Sequence, residues 1–297
     1  LSELSGPHHR VIDVLNFHAA HPTEAFTLSE LAERLGLSLG SAHRVLATLV
    51  DARYLSRHPK HKTYSLGVAL LAIGHAALEK HPSVHIARRE LARLTDELKV
   101  QCTAAAVVDD ELLLLAKDGT PQTHEGMNRV GERRPFIPPF GISHVAWAGE
   151  EVIAAYLAKA PPALDEPRRA YLETAVATVR RRGYAIAANG PGLSALRQVT
   201  LLPIDQPRDD AYRSKVHGLI ARLTETEMQL LDLADAKSVG VSFISVPVFA
   251  PTGAVALELT VSGMPHDLEP AEIERHAERL RAAAAVVTGE SHGRMPG

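Results

Sequence analysis

Residues 27–49 read TLSELAERLGLSLGSAHRVLATL, and the spacing of this stretch decides the fold of the first third of the chain. Thr27-Leu28-Ser29-Glu30 is a capping box: the Thr27 hydroxyl can accept from the Glu30 N–H while the Glu30 carboxylate reaches back. Leu28, Leu31, Ala32 and Leu35 then fall on one helical face, and Gly36 ends the helix as glycine does at a C′ position. The chain restarts at Ser38, which can cap a further helix from Leu39 to about Ala52 with Ala42, Val45, Leu46 and Leu49 turned inward. A short helix, a glycine turn and a serine-capped second helix make a helix-turn-helix. The outward face of its second helix is predicted to carry Gly40, Ser41, His43, Arg44 and Thr48, small or hydrogen-bonding groups of the kind a major-groove helix needs.

Working outward, residues 8–20 place Val11, Val14, Leu15 and Ala19 at helical spacing, with Pro22 beyond the end. On the other side, Tyr54–Arg57 and Thr63–Leu66 alternate as short strands around His58-Pro59-Lys60-His61-Lys62. Between Arg53 and Lys62 there are four Lys or Arg, two His and no acid, in a protein of formal net charge −3. A basic hairpin directly after the second helix is a wing that can lie along phosphates and give salt-sensitive, sequence-independent affinity. The candidate nucleic-acid residues are therefore Thr27 and Ser38 at the two helix starts, Gly40, Ser41, His43, Arg44 and Thr48 on the helix, and Arg57, Lys60, Lys62 and Tyr64 in the wing.

Residues 67–81 form an apolar connector helix (Val68, Leu71, Ala72, His75, Leu78), and a further helix spans about Val84 to Leu98. The pattern is mixed from Cys102 onward. Strands are predicted at Cys102–Val108 and Glu111–Lys117, the latter with a run of four leucines read as fully buried, and Met127–Pro135 as extended. One helix is expected over Ile142–Ala158 and another over Glu166–Arg182, followed by a strand over Tyr184–Ala188. A hairpin of Val239–Phe249 and Ala254–Ser262 and a last helix over Glu269–Val287 complete the pattern. Antiparallel strands with segregated helices define an α+β domain. The stretch 190–237, with helical patterns at Leu193–Val199, Asp209–Arg222 and Thr226–Ala234, reads as an insertion at one edge of the sheet: a lid, a dimer contact or a disordered excursion. The domain expectation is thus 1–66, a linker at 67–81, and 82–297.

At 297 residues the chain has room for two domains. A single cysteine, Cys102, rules out an internal disulfide or a multi-cysteine zinc site, and its apolar strand setting reads as packing. No apolar run approaches membrane-spanning length and no secretory leader pattern opens the chain, so a cytoplasmic protein without membrane partners is expected. The sixteen histidines are scattered, and no His-Glu-x-x-His helix, phosphate loop or Gly-x-Ser-x-Gly elbow occurs. No catalytic residue, metal or cofactor is expected, although an enzyme using the second domain, a zinc site near His124, Glu125 or His144, and a DNA binder indifferent to small molecules are the competing readings.

Taken together the chain resembles the IclR family of transcription regulators. The carrying segments are Thr27–Leu37, Ser41–Leu49, Tyr64-Ser65-Leu66-Gly67, Arg129-Val130-Gly131, Arg182-Gly183-Tyr184, Pro247-Val248-Phe249 and Thr260-Val261-Ser262-Gly263. The resemblance implies a homodimer or homotetramer on a palindromic double-stranded DNA operator, as repressor or activator. It also implies a GAF-like second domain that binds a small organic acid. Leu39 and Gly40 stand where the family often has lysine and serine, and Ala185–Asn189 where it often has an acidic cluster. By the same resemblance Gly141, Ile142 and Ser143 would hold the acid group, with Thr260 and Ser262 facing the same pocket. Met127, Phe140 and Phe243 would be its apolar walls.

Overall fold

The structure is a computed structural model; it describes residues 7–119, 129–161, 163–201, 210–236, 240–266 and 268–296. The described chain divides into two compact units, one running to His81 and the other starting at Pro82.

In the first unit, α1 (Pro7–Ala20), α2 (Leu28–Arg34) and α3 (Leu39–Asp51) precede a hairpin of β1 (Leu55–Arg57) and β2 (Tyr64–Leu66), and α4 (Ala69–Lys80) ends it. The capping box at Thr27 forms in both directions, and Ser38 caps α3 by accepting from the Ser41 N–H. Val14, Phe17, Phe26, Leu31, Leu46, Leu49 and Leu55 make one core. Gly67 is required where the chain leaves the hairpin, because a Cβ there would lie 2.2 Å from the Arg53 carbonyl oxygen. Helix α4 buries no residue within its unit, and Val68 (at its start), Leu71 and Ile73 are 74%, 74% and 49% exposed.

The second unit is built on a six-stranded antiparallel sheet in the order β5-β4-β3-β8-β7-β6. The strands are β3 (Gln101–Val108), β4 (Glu111–Asp118), β5 (Arg133–Pro135), β6 (Ala185–Ala188), β7 (Val241–Phe249) and β8 (Val255–Ser262). Helices α5 (Pro82–Leu98) and α12 (Pro270–Glu290) pack on one face of the sheet. On the other lie α6 (Ile142–Val145), α7 (Glu150–Leu157), α8 (Glu166–Arg182), α9 (Pro191–Leu201), α10 (Asp210–Ile220) and α11 (Glu225–Met228). The four leucines of β4 are not buried throughout: Leu112 and Leu114 are, whereas Leu113 and Leu115 are half-buried, because only one face of that strand meets the main core. The single helix expected over Ile142–Ala158 is two, α6 and α7, the second restarting from Gly149 in extended conformation. The third helix expected in the 190–237 stretch shrinks to one turn, α11, followed by a 3-10 turn at Leu233–Asp235.

The described residues of that stretch pack into the domain. Leu193, Leu196, Val216, Ile220 and Leu223 join a core with Tyr156, Leu157 and Leu172 of α7 and α8. Arg168 of α8 donates to the carbonyls of Ala221 (2.8 Å) and Leu223 (2.9 Å), which satisfies the open end of α10. Buried Glu227 closes the α11 capping box and also accepts from the Leu193 N–H at 3.0 Å. The chain then returns along β6, where Gln229 and Leu230 hydrogen-bond to Ile186.

His18 is fully buried beside Phe17, Phe26 and His21, and neither ring nitrogen has a hydrogen-bond partner among the described residues. Burial, and secondarily His21, push its pKa down to about 4 from 6.5. The unfolded chain therefore takes up a proton that the folded unit refuses. Stability from this site is complete above pH 6.5 and falls as the pH drops toward 4, by up to about 3 kcal/mol. Melting curves between pH 4 and 7 should show this slope, and His18→Phe should flatten it; a wild-type midpoint constant over that range would contradict it.

Candidate functional site

Two surfaces carry the sequence-predicted residues. On α3, His43, Arg44, Ala47 and Thr48 are exposed on one side while Ala42, Val45, Leu46 and Leu49 are buried on the other. The Thr48 hydroxyl donates to the Arg44 carbonyl at 3.0 Å. Gly40 and Ser38 are exposed at the start of the helix. Ser41 is a correction: it is buried and its hydroxyl accepts from Arg10 of α1, so it braces the helix pair. Tyr64 is a second correction, since it is a core residue bridged to Phe26. Thr27 spends its hydroxyl on the capping box.

The wing places Arg57, Lys60 and Lys62 in solvent. Its tip is held by the His58 ring, whose Nδ1 accepts from the Lys60 and His61 N–H groups at 3.2 and 3.1 Å. Arg57 lies over the Tyr64 ring, 5.7 Å from its centroid.

The second surface is a cleft in the other unit, about 870 Å³ counting its open mouth. Strand alternation builds its floor. On β8, Leu257, Leu259 and Val261 are buried toward α5 and α12, which leaves Glu258, Thr260 and Ser262 on the cleft side. Register puts Thr103 of β3 and Ser245 of β7 on either side of Thr260, and Phe243 beside Ser262. Phe140, Gly141 and Ile142 form another wall. Gly141 adopts φ +75°, and a Cβ there would come within 2.6 Å of the Phe136 ring, so only glycine lets the chain turn into α6.

Six expected residues thus meet in one place: Phe140, Gly141, Ile142, Phe243, Thr260 and Ser262. Met127 lies outside the described residues. Ser143 is fully buried, and its hydroxyl donates to Glu258. His144 Nδ1 also donates to Glu258, at 3.2 Å. Burial pushes the Glu258 carboxyl up, but the bonds and charge of His144, with Ser143 and Ser245, outweigh it and hold the pKa below the usual value. Sequence reasoning missed Glu258, although it lies two residues before Thr260 and so had to share its face. It also missed Arg134, held by Glu132 at 2.9 Å, and the contributions of Leu193, Leu196 and Gln229 from the 190–237 stretch. Cys102 is buried on the opposite side, with burial pushing its thiol up to about 12, which suits packing. Among the described residues no three His, Cys, Asp or Glu side chains gather as a metal site, and no helix is long and apolar enough to cross a membrane; His124 and Glu125 lie outside them.

A helix-turn-helix with an exposed polar helix and a basic wing, followed by a sheet domain with a cleft, is the build of a DNA-binding regulator. Comparison with known proteins carries this to a family. Residues 9–59 match the IclR helix-turn-helix domain. The regulator XynR of Escherichia coli K12 is 22% identical over 283 residues, 94% of each chain. An IclR transcriptional regulator of Alicyclobacillus acidocaldarius shares the fold at a TM-score of 0.66, with 22% identity over 96% of this chain and 98% of that one. An IclR homolog of Microbacterium hydrocarbonoxydans complexed with 4-hydroxybenzoate does so at 0.65, with 20% identity over 96% and 99%. The first unit thus carries an IclR-type helix-turn-helix domain, and the chain is similar to IclR transcriptional regulators along nearly its whole length.

Two variants probe the expected DNA surface. Arg44→Ala should weaken operator binding by about 1–3 kcal/mol without loss of folding; unchanged affinity would remove Arg44 from the contact set. Lys60→Ala with Lys62→Ala should weaken specific and random DNA alike and flatten the salt dependence by about two phosphate contacts. A loss confined to one sequence would contradict a phosphate role.

Proposed function

We propose that this regulator binds a palindromic operator in the cytoplasm as a homodimer or homotetramer, and that a small organic acid in the cleft of the second unit modulates that binding. The observation that carries the reading is the meeting of Phe140, Gly141, Ile142, Phe243, Thr260 and Ser262, remote in sequence, around one cleft. Its floor is polar and its walls are apolar, which suits a molecule with an apolar body and an oxygen-bearing end. The 4-hydroxybenzoate held by the Microbacterium homolog has that form.

On the DNA side, His43, Arg44 and Thr48 would face base edges, and Arg57, Lys60 and Lys62 would follow phosphates. Gly40 and Ser38 let the backbone approach closely. Self-association is supported by α4, whose Leu71 and Ile73 side chains stand in solvent in the single chain. Two winged helices on one dimer match the two halves of a palindrome.

A fluorescence-anisotropy titration against the DNA upstream of the protein's own gene, at two salt concentrations and with a panel of small organic acids, tests this. Salt-sensitive specific binding, shifted by at least one acid, is expected. Specific binding indifferent to every acid would leave the alternative of an effector-independent DNA binder, and absence of binding at low salt would overturn the DNA reading.

A further inference from the structure

The stretch between β6 and β7 brings to the cleft a residue with a polar atom that no described residue uses. Gln229 is fully buried and lines the cleft. Its amide orientation is fixed by chemistry: the Ile186 N–H can only donate, so the atom 3.2 Å from it must be Oε1, and the other branch is Nε2. The backbone around it is pinned as well. The Tyr171 hydroxyl donates to the Gln229 carbonyl at 2.5 Å, and the Leu230 N–H donates to the Ile186 carbonyl at 2.7 Å. Nε2 has no hydrogen-bond partner among the described residues. A buried donor without a partner, on a residue that lines a cleft, suits an acceptor that comes from outside.

Three other side chains suited to an acid, those of Ser143, His144 and Arg134, are engaged. The Ser143 hydroxyl and His144 Nδ1 both go to Glu258, so a ligand carboxylate brought there would meet a carboxylate. Arg134 is held by Glu132 through Nε and Nη2, at 3.0 and 2.9 Å. Glu258 is also far from Gln229. Ile186, which orients Gln229, stands in a row with Ile244 and Val261; Glu258 is therefore two strands across and three residues along, roughly 10 Å in each direction. Leu193, Leu196 and Phe243 supply apolar surface to the cleft.

We propose that Gln229 is a ligand-contacting, specificity-determining residue: its Nε2 donates to a carboxylate or carboxamide oxygen at one end of a small molecule whose apolar body lies on Leu193, Leu196 and Phe243. The stretch 190–237 is then part of the sensor, since it supplies both the donor and two of the apolar contacts. This rests on reading the cleft as the effector site.

The test uses three probes of one shape, 4-hydroxybenzoate, 4-hydroxybenzamide and 4-methylphenol, titrated calorimetrically into the full-length protein. Wild type should bind the first two at least tenfold more tightly than the third. Gln229→Glu still offers an oxygen to the Ile186 N–H but replaces the donor by a carboxyl, and should weaken 4-hydroxybenzoate at least tenfold at pH 8 while 4-methylphenol stays within twofold. Gln229→Met, similar in length and without either polar atom, should equalise the three probes and serves if the charged variant does not fold. A wild type without the preference, variants that keep it, or no binding of any probe at millimolar concentration would each overturn the proposal. Thr260→Leu, which narrows the cleft, separates the two levels: binding of all three probes unchanged in that variant would overturn the cleft reading itself.

Discussion

The two-residue alternation of β8 is the constraint on which the second unit depends. One strand sends Leu257, Leu259 and Val261 into the layer under α5 and α12, and Glu258, Thr260 and Ser262 into the cleft. A register slip of one residue would bury a carboxylate among aliphatic side chains and open three apolar residues to the cleft. Pairing on both sides resists this, because β3 and β7 each lock β8 over most of its length. The helices then follow. Those on one face cover a continuous aliphatic surface, and those on the other leave a cleft beside it.

The first unit was legible almost residue by residue. Its signals are local: a capping box, a serine cap and an amphipathic helix act within a few residues of the groups they satisfy. The errors there came from contacts between elements. Ser41 sits at an angle that periodicity alone left ambiguous, and only Arg10, 31 residues earlier, gives its hydroxyl a reason to turn inward. Tyr64 likewise reads as a wing residue until Phe26 is placed beside it.

The cleft was half legible. Thr260 and Ser262 declare a shared face by spacing, and Gly141 marks a turn, but which residues oppose them depends on strand register and on helices distant in the chain. Glu258 could have been added from the same alternation. Gln229 could not, since its place is set by a pairing with Ile186 across 43 residues and by Tyr171 across 58. The stretch read as a lid, a contact or a disordered excursion contributes to the core through α9 and α10, because Arg168 and Glu227 close helix ends that would otherwise be open.

The return of the chain along β6 has a bearing on how copies of this protein can assemble. A border strand normally offers a ladder of free amides and carbonyls onto which a strand of another molecule can zip. Here the Tyr184 carbonyl is taken by Arg182, and both backbone groups of Ile186 are taken by Gln229 and Leu230. That flank of the sheet is sealed against sheet extension. Copies of this protein that associated through a shared sheet would have to use the opposite border, at β5, and the cleft residues beside β6 would not be drawn into such a joint.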